Sequence, residues 1–151
     1  MTKDLQEKLF NKYPKLFTQK DLSIQQSPMA WGITCGDGWY RILNVLCNRI
    51  TKYIKSNKNV VLEANDTWED NDPENPVQND PENPVQFVQI KEKFGTLRVY
   101  INWGDTTIYE LIALAEEMSS VTCEECGAPG ELYTGGWYKT CCSIHKSKSE
   151  F

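Results

Sequence analysis

Four residues near the end of the chain have the types and spacing of a metal site. Cys123 and Cys126 form Cys-x-x-Cys, Cys142 and His145 form Cys-x-x-His, and fifteen residues separate the two pairs. Two thiolates two residues apart can grip one ion from a single turn, and a second pair closes a tetrahedral shell from another turn. Gly127, Pro129 and Gly130 supply the tight backbone such a knuckle needs, and Gly135-Gly136 marks a hairpin tip before Trp137. Cys141 adjoins the second pair, so the third thiolate is open between Cys141 and Cys142; Cys142 is favoured because it repeats the two-residue gap. A shell of three Cys and one His leaves no position for a substrate, which predicts a structural zinc that folds the segment.

His145 is the chain's one histidine. Committing it to metal removes the usual acid–base group near neutral pH, and no Ser/His/Asp or Cys/His nucleophile pair can then be assembled. A nucleotide deaminase would place His-x-Glu ahead of Pro-Cys-x-x-Cys, and here the histidine comes last. Neither Gly-x-x-x-x-Gly-Lys nor Gly-x-Gly-x-x-Gly occurs, so the phosphate-loop chemistries fail too. Gly36-Asp37-Gly38-Trp39 is expected to be a turn in which Asp37 caps the following helix and Trp39 enters the core. These residues point to a protein without catalytic groups, whose work is binding. Lys91, Lys93, Arg98, Tyr100, Trp103 and Trp137 are the candidate contact residues, basic and aromatic together. Such a face could meet a partner protein, or stack a base while pairing its phosphate.

The elements that must hold these residues follow from periodicity. Apolar positions three or four apart predict helices near 3–13, 38–56 and 106–119, the last capped by Asp105 or Thr106. Alternating stretches predict strands at 87–93 and 96–102, joined at Phe94-Gly95, with 59–63 as a third strand of one small antiparallel sheet. Leu97, Val99 and Ile101 then share the core face, and Arg98 and Tyr100 the other. Trp31, Ile33 and Cys35 alternate as a short extended piece. The whole is an α+β domain over 1–121, with a zinc knuckle or ribbon at 122–146 packed on it and a charged tail at 147–151.

Composition sets the bounds. The chain has 151 residues, 40% apolar and 25% charged, which is the balance of a folded domain. No apolar run approaches the ~18 residues of a membrane span, and Met1 to Lys8 holds no signal-peptide core, so the expected location is the cytoplasm. Net charge is −5, yet residues 61–90 hold eight acids and no Lys or Arg; elsewhere thirteen acids face all sixteen bases. Binding to nucleic acid is therefore disfavoured overall but not excluded for the basic part. Asn71–Gln78 recurs unchanged as Asn79–Gln86. Two prolines and two acids per copy predict an expanded, flexible acidic loop over about 64–86.

Three motifs in series carry a resemblance. Trp31-Gly32-x-x-Cys35-Gly36-Asp37-Gly38-Trp39, Lys91-Glu92-Lys93-Phe94-Gly95-x-Leu97-Arg98-x-Tyr100, and Cys123-Glu124-x-Cys126-Gly127-x-Pro129-Gly130 with Thr140-x-Cys142-x-x-His145 span about residues 28–146. The series is similar to a group of short proteins of unassigned function in tailed phages, prophages and bacterial genomes. The doubled octapeptide and Cys141, where an aliphatic residue is expected, depart from that pattern. The resemblance implies a phage or prophage source, hence a host bacterial cytoplasm. By analogy it implies an accessory protein that binds and inhibits a host partner, an anti-phage defence component being the favoured candidate. Sequestering a small nucleotide signal and binding nucleic acid as a zinc ribbon are the alternatives.

Overall fold

The computed structural model describes residues 1–57, 59–60 and 84–146. Among these the architecture is α+β. Helix α1 (Lys3–Lys12) buries Leu9 and stops where Pro14 begins a 3-10 turn, Pro14–Leu16. Leu16 and Phe17 then pack into the core, Phe17 lying 4.9 Å from the Phe10 ring and 5.0 Å from the Phe87 ring.

Helix α2 (Tyr40–Ser56) buries Ile42, Leu43, Leu46, Cys47 and Ile50, the stripe that its apolar spacing predicts. Its start differs from expectation. The residue before it is Trp39, no side chain caps it, and Asp37 instead accepts the backbone N–H of Thr2 at 2.6 Å. Helix α3 (Thr106–Ser119) does have the predicted cap: Asp105 Oδ1 accepts from Ile108 N at 2.9 Å, and Asp105 Oδ2 accepts the Tyr53 hydroxyl at 2.7 Å. That second bond ties the start of α3 to the last turn of α2.

Strands β1 (Phe87–Lys93) and β2 (Thr96–Ile101) form an antiparallel hairpin with Lys91 opposite Arg98 and Ile90 opposite Val99. Leu97 and Val99 are buried, as the alternation requires, and Ile101 packs partly buried against the same core. The third strand expected at 59–63 is not found where it is described: residues 59 and 60 are helical, and 61–63 lie outside the described residues. The hairpin's free edges are satisfied otherwise. Thr34 N donates to Ile90 O and Glu92 N to Thr34 O, both at 3.0 Å, so one residue plays the neighbouring strand. On the β2 side, Leu97 N donates to Ser119 Oγ at 2.8 Å and Val99 N to Glu116 Oε1 at 2.9 Å. Helix α3 thus caps an edge that a third strand would otherwise have to cover. Trp31 does not continue the extended piece; it ends a 3-10 turn and is exposed, while Ile33 and Cys35 are buried.

The expected acidic loop lies outside the described residues up to 83. Its last members are irregular but buried: Val85 and Gln86 are shielded from solvent, and Gln86 accepts from Gln19 Nε2 at 3.3 Å, with Ser27 Oγ donating to Gln19 Oε1 at 2.8 Å. The tail at 147–151 also lies outside the described residues. No described helix is long and apolar enough to cross a membrane.

Candidate metal centre

A second hairpin, β3 (Glu131–Tyr133) with β4 (Lys139–Cys141), and a one-turn helix α4 (Ser143–Lys146) complete the described residues. Two turns present the donors. In the first, Gly127 N donates to Cys123 O and Cys123 N to Ala128 O, both at 2.8 Å, folding Cys123 and Cys126 onto one side. In the second, Cys142 stands just before α4, and His145 N donates to Cys142 O at 3.0 Å, which stacks His145 over Cys142.

The outcome is a cluster of Cys123, Cys126, Cys142 and His145 whose ligand atoms lie within 4.8 Å of one another. Cys126 Sγ is 3.8 Å from Cys142 Sγ, and His145 Nδ1 is 3.4 Å from Cys123 Sγ and 3.3 Å from Cys142 Sγ. A tetrahedral ion with metal–sulfur bonds of about 2.3 Å needs sulfur–sulfur edges of about 3.8 Å and slightly shorter sulfur–nitrogen edges. These three edges match, and the cluster is compatible with metal binding. Cys142, not Cys141, supplies the third sulfur; Cys141 sits buried in β4, opposite Glu131, and burial pushes its thiol up.

Cys123 is prepared for the charged form a metal requires. Burial works against its thiolate, but the amides of Cys142, Cys126 and Glu125 outweigh that and bring its pKa down to about 6. Cys35 and Cys47 have the opposite environment. Burial raises Cys35 to about 12, against the pull of the terminal ammonium, and raises Cys47 as well, so both are core thiols.

The knuckle is locked to the rest of the domain by the other two motifs. Gly38 N donates to Glu124 O at 2.7 Å, Gly36 N to Glu124 Oε1 at 2.8 Å, and Trp39 Nε1 to Thr122 O at 2.8 Å. A Cβ on Gly38 would collide with the carbonyl of Cys123 and stand 2.5 Å from Gly127 N, so the close approach demands glycine. At the far side, Thr140 Oγ1 donates to Gly95 O at 2.6 Å, and a Cβ on Gly95 would meet Leu132 and Lys139. Gly36-Asp37-Gly38-Trp39 is therefore the seat of the first cysteine turn, a role that no local spacing announces.

The candidate contact residues divide into groups. Lys91, Arg98 and Tyr100 share the outer face of the β1–β2 hairpin, with Lys91 Nζ 5.5 Å from the Tyr100 ring centre. Arg98 Nη1 turns back along its own strand to Thr96 Oγ1 and Leu97 O, at 2.7 and 2.6 Å. Trp103 is partly buried against the core and stands apart from that face. Lys93 and Trp137 lie elsewhere again, at the two hairpin tips. There they line a hollow of about 710 Å³ with Glu92, Phe94, Gly136 and Tyr138.

The sequence interleaves Phe94 with Lys91, Lys93 and Arg98 without placing it among the contact residues, and it gives no sign of Tyr138 as one. The signal was available: in a two-residue hairpin with both central residues left-handed, Asn-Gly or Asp-Gly is the favoured pair. Here Phe94 occupies the first position at φ 53°, with Gly95 at φ 78°, and Phe94 is 65% exposed. A left-handed non-glycine residue costs roughly 1–2 kcal/mol, and burial does not repay it here.

Set against protein-family models, curated proteins and solved structures, the chain finds no match in any of the three. Fold and site together define an α+β domain with a Cys3His cluster that closes the two turns flanking its C-terminal hairpin.

Proposed function

We propose that the chain is a non-enzymatic, zinc-stapled protein that acts by binding and blocking a partner protein in a host bacterium. A component of anti-phage defence is the partner that the resemblance to phage proteins favours. One observation carries this reading: Cys123, Cys126, Cys142 and His145 converge on a single point, so a bound ion would have all four positions filled by the chain itself. Three thiolates and an imidazole in a tetrahedron suit zinc, and a closed shell supports folding and not turnover. The cluster also takes the chain's one histidine.

The outer face of the β1–β2 hairpin, with Lys91, Arg98 and Tyr100, is the surface we assign to that partner. It combines cations with an exposed ring on a rigid scaffold, the mixture that interface hot spots favour. The test is co-expression of tagged protein in a bacterial host, followed by sizing of the purified complex. A stoichiometric complex with one host protein, lost in Tyr100→Ser and retained in Trp31→Ser, supports the reading. Turnover of a nucleotide or peptide substrate, abolished by a substitution outside the metal cluster, overturns it.

A further inference from the structure

The hollow between the two hairpin tips has a composition that the partner-protein reading does not use. Phe94, Trp137 and Tyr138 are respectively 65%, 85% and 43% exposed, and the Phe94 and Tyr138 rings meet edge to face at 6.1 Å. Lys93 Nζ sits 5.4 Å from the Phe94 ring centre. Glu92 also lines the hollow, but one of its carboxylate oxygens already accepts from Gly95 N at 2.6 Å. Trp137 also lines a second hollow, with Tyr133, Lys139 and Lys146, and Lys146 Nζ is 4.2 Å from the Tyr133 ring centre. Trp137 follows Gly135-Gly136, where an added Cβ would meet nothing within 4 Å. The indole itself is mostly exposed, so a ligand can reach it without displacing a packed neighbour.

We infer that this hollow is a binding site for a nucleoside phosphate, its base between Trp137 and the Phe94–Tyr138 pair and its phosphate met by Lys93. The physical grounds are exposed rings, above all the Trp137 indole, and the cations beside them. Stacking needs planar faces that the protein does not itself cover, and about 710 Å³ is within the size range of small-ligand sites. Phe94 adds the decisive observation. It occupies a left-handed position where Asn would be at ease, and beyond its contacts with Tyr138 and Lys93 its ring is mostly in solvent. An aromatic ring held there at a conformational cost has its use outside the domain. The same chemistry can come as a free nucleotide or as the end of a single strand. In the strand, successive bases would stack on either side of Trp137.

None of Lys91, Arg98 and Tyr100 lines this hollow, so it can fail or hold independently of the proposed partner. The test is calorimetric titration of the metal-loaded protein with adenosine and guanosine mono- and triphosphates, a single-stranded oligonucleotide of about ten residues, and inorganic tripolyphosphate. The decisive variant is Phe94→Asn. Asn-Gly is the preferred pair for this turn, so the hairpin should fold at least as well while losing the ring.

Nucleotide or oligonucleotide binding should weaken on the order of tenfold in Phe94→Asn and Trp137→Ser and stay unchanged in Tyr100→Ser. Binding of mononucleotides identifies a free nucleotide as the ligand, and binding of the oligonucleotide alone identifies a strand end. Binding unaffected by Phe94→Asn, or tripolyphosphate bound as tightly as the nucleotides, overturns the proposal. So does the absence of any binding, including the case in which the tips prove to join two copies of the chain and Phe94→Asn yields monomers.

Discussion

The indole N–H of Trp39 donates to the carbonyl oxygen of Thr122 at 2.8 Å, across 83 residues of chain. Trp39 is fully buried at the start of α2, and Thr122 immediately precedes the first cysteine of the metal cluster. The longest described helix and the cysteine turn are therefore held by one hydrogen bond, which the amides of Gly36 and Gly38 reinforce through Glu124. Trp39→Phe keeps most of the ring's packing and removes the donor. We expect a stability loss of about 1 kcal/mol, measured by denaturant unfolding of the metal-loaded protein.

Gly38→Ala tests the close approach itself. The added methyl would strike the backbone of Cys123, Glu124 and Gly127, none of which can swing aside as a side chain would. Metal affinity and stability should both fall, the latter by roughly 1–3 kcal/mol. Gly135→Ala, which meets nothing within 4 Å, is the control and should change neither. Equal behaviour of the two variants would remove the interlock as an explanation of the Gly36–Trp39 motif.

The adjacent cysteines make a sharp pair. Cys142→Ser should abolish stoichiometric metal binding, whereas Cys141→Ser should retain about one metal per chain, because only Cys142 faces the other ligands. Elemental analysis of the dialysed proteins decides it. The reverse pattern would mean that the cluster closes differently.

Metal uptake should depend on pH in a definite direction. In the metal-free protein the Cys123 thiol loses its proton at about 6, below its ordinary value of 9.0. Above that point the ion meets a thiolate already formed; as pH falls through it, the ion must displace a proton. Affinity in a chelator competition should therefore fall as pH drops below the raised pKa of the Cys126 thiol, and fall more steeply below about 6, where Cys123 adds its own proton. A decline that does not steepen near 6 would show that the amides around Cys123 do not stabilise its thiolate.

Cys35 should behave in the opposite sense. Its thiol is raised to about 12 by burial. A raised value means that its contribution to stability is intact below 9.0 and is lost as pH climbs towards 12. With a soluble alkylating reagent near neutral pH, Cys35 and Cys47 should remain unmodified in the folded protein. Exposed Cys126 should react once metal has been stripped away. Mass spectrometry of the digested protein reads all three sites.

Much of this molecule was written locally. The ligand pairs Cys123/Cys126 and Cys142/His145 are each three positions apart, so a single turn brings each together and the sequence shows it directly. The faces of α2 and of β2 follow just as closely from spacings of three to four and of two. Asp105 is legible as a cap because capping is a contact with the next few residues. Asp37 had the same appearance and a different partner, Thr2, because a distant backbone N–H reached its carboxylate first.

What spacing cannot carry is the meeting of segments far apart in the chain. Gly36 reaches Glu124 across 88 residues, and Thr140 reaches Gly95 across 45. Nothing periodic marks either contact, since each depends on two surfaces fitting after the chain has closed. The edges of β1 and β2 were settled in the same way, by Thr34 and by side chains of α3 in place of a third strand. So were the positions of Phe94, Trp137 and Tyr138, which share a hollow only because two hairpins interlock. The sequence by itself determined which residues could hold a metal and which faces would be buried. The tertiary structure alone decided what the glycines are for and which aromatic rings stand together in solvent.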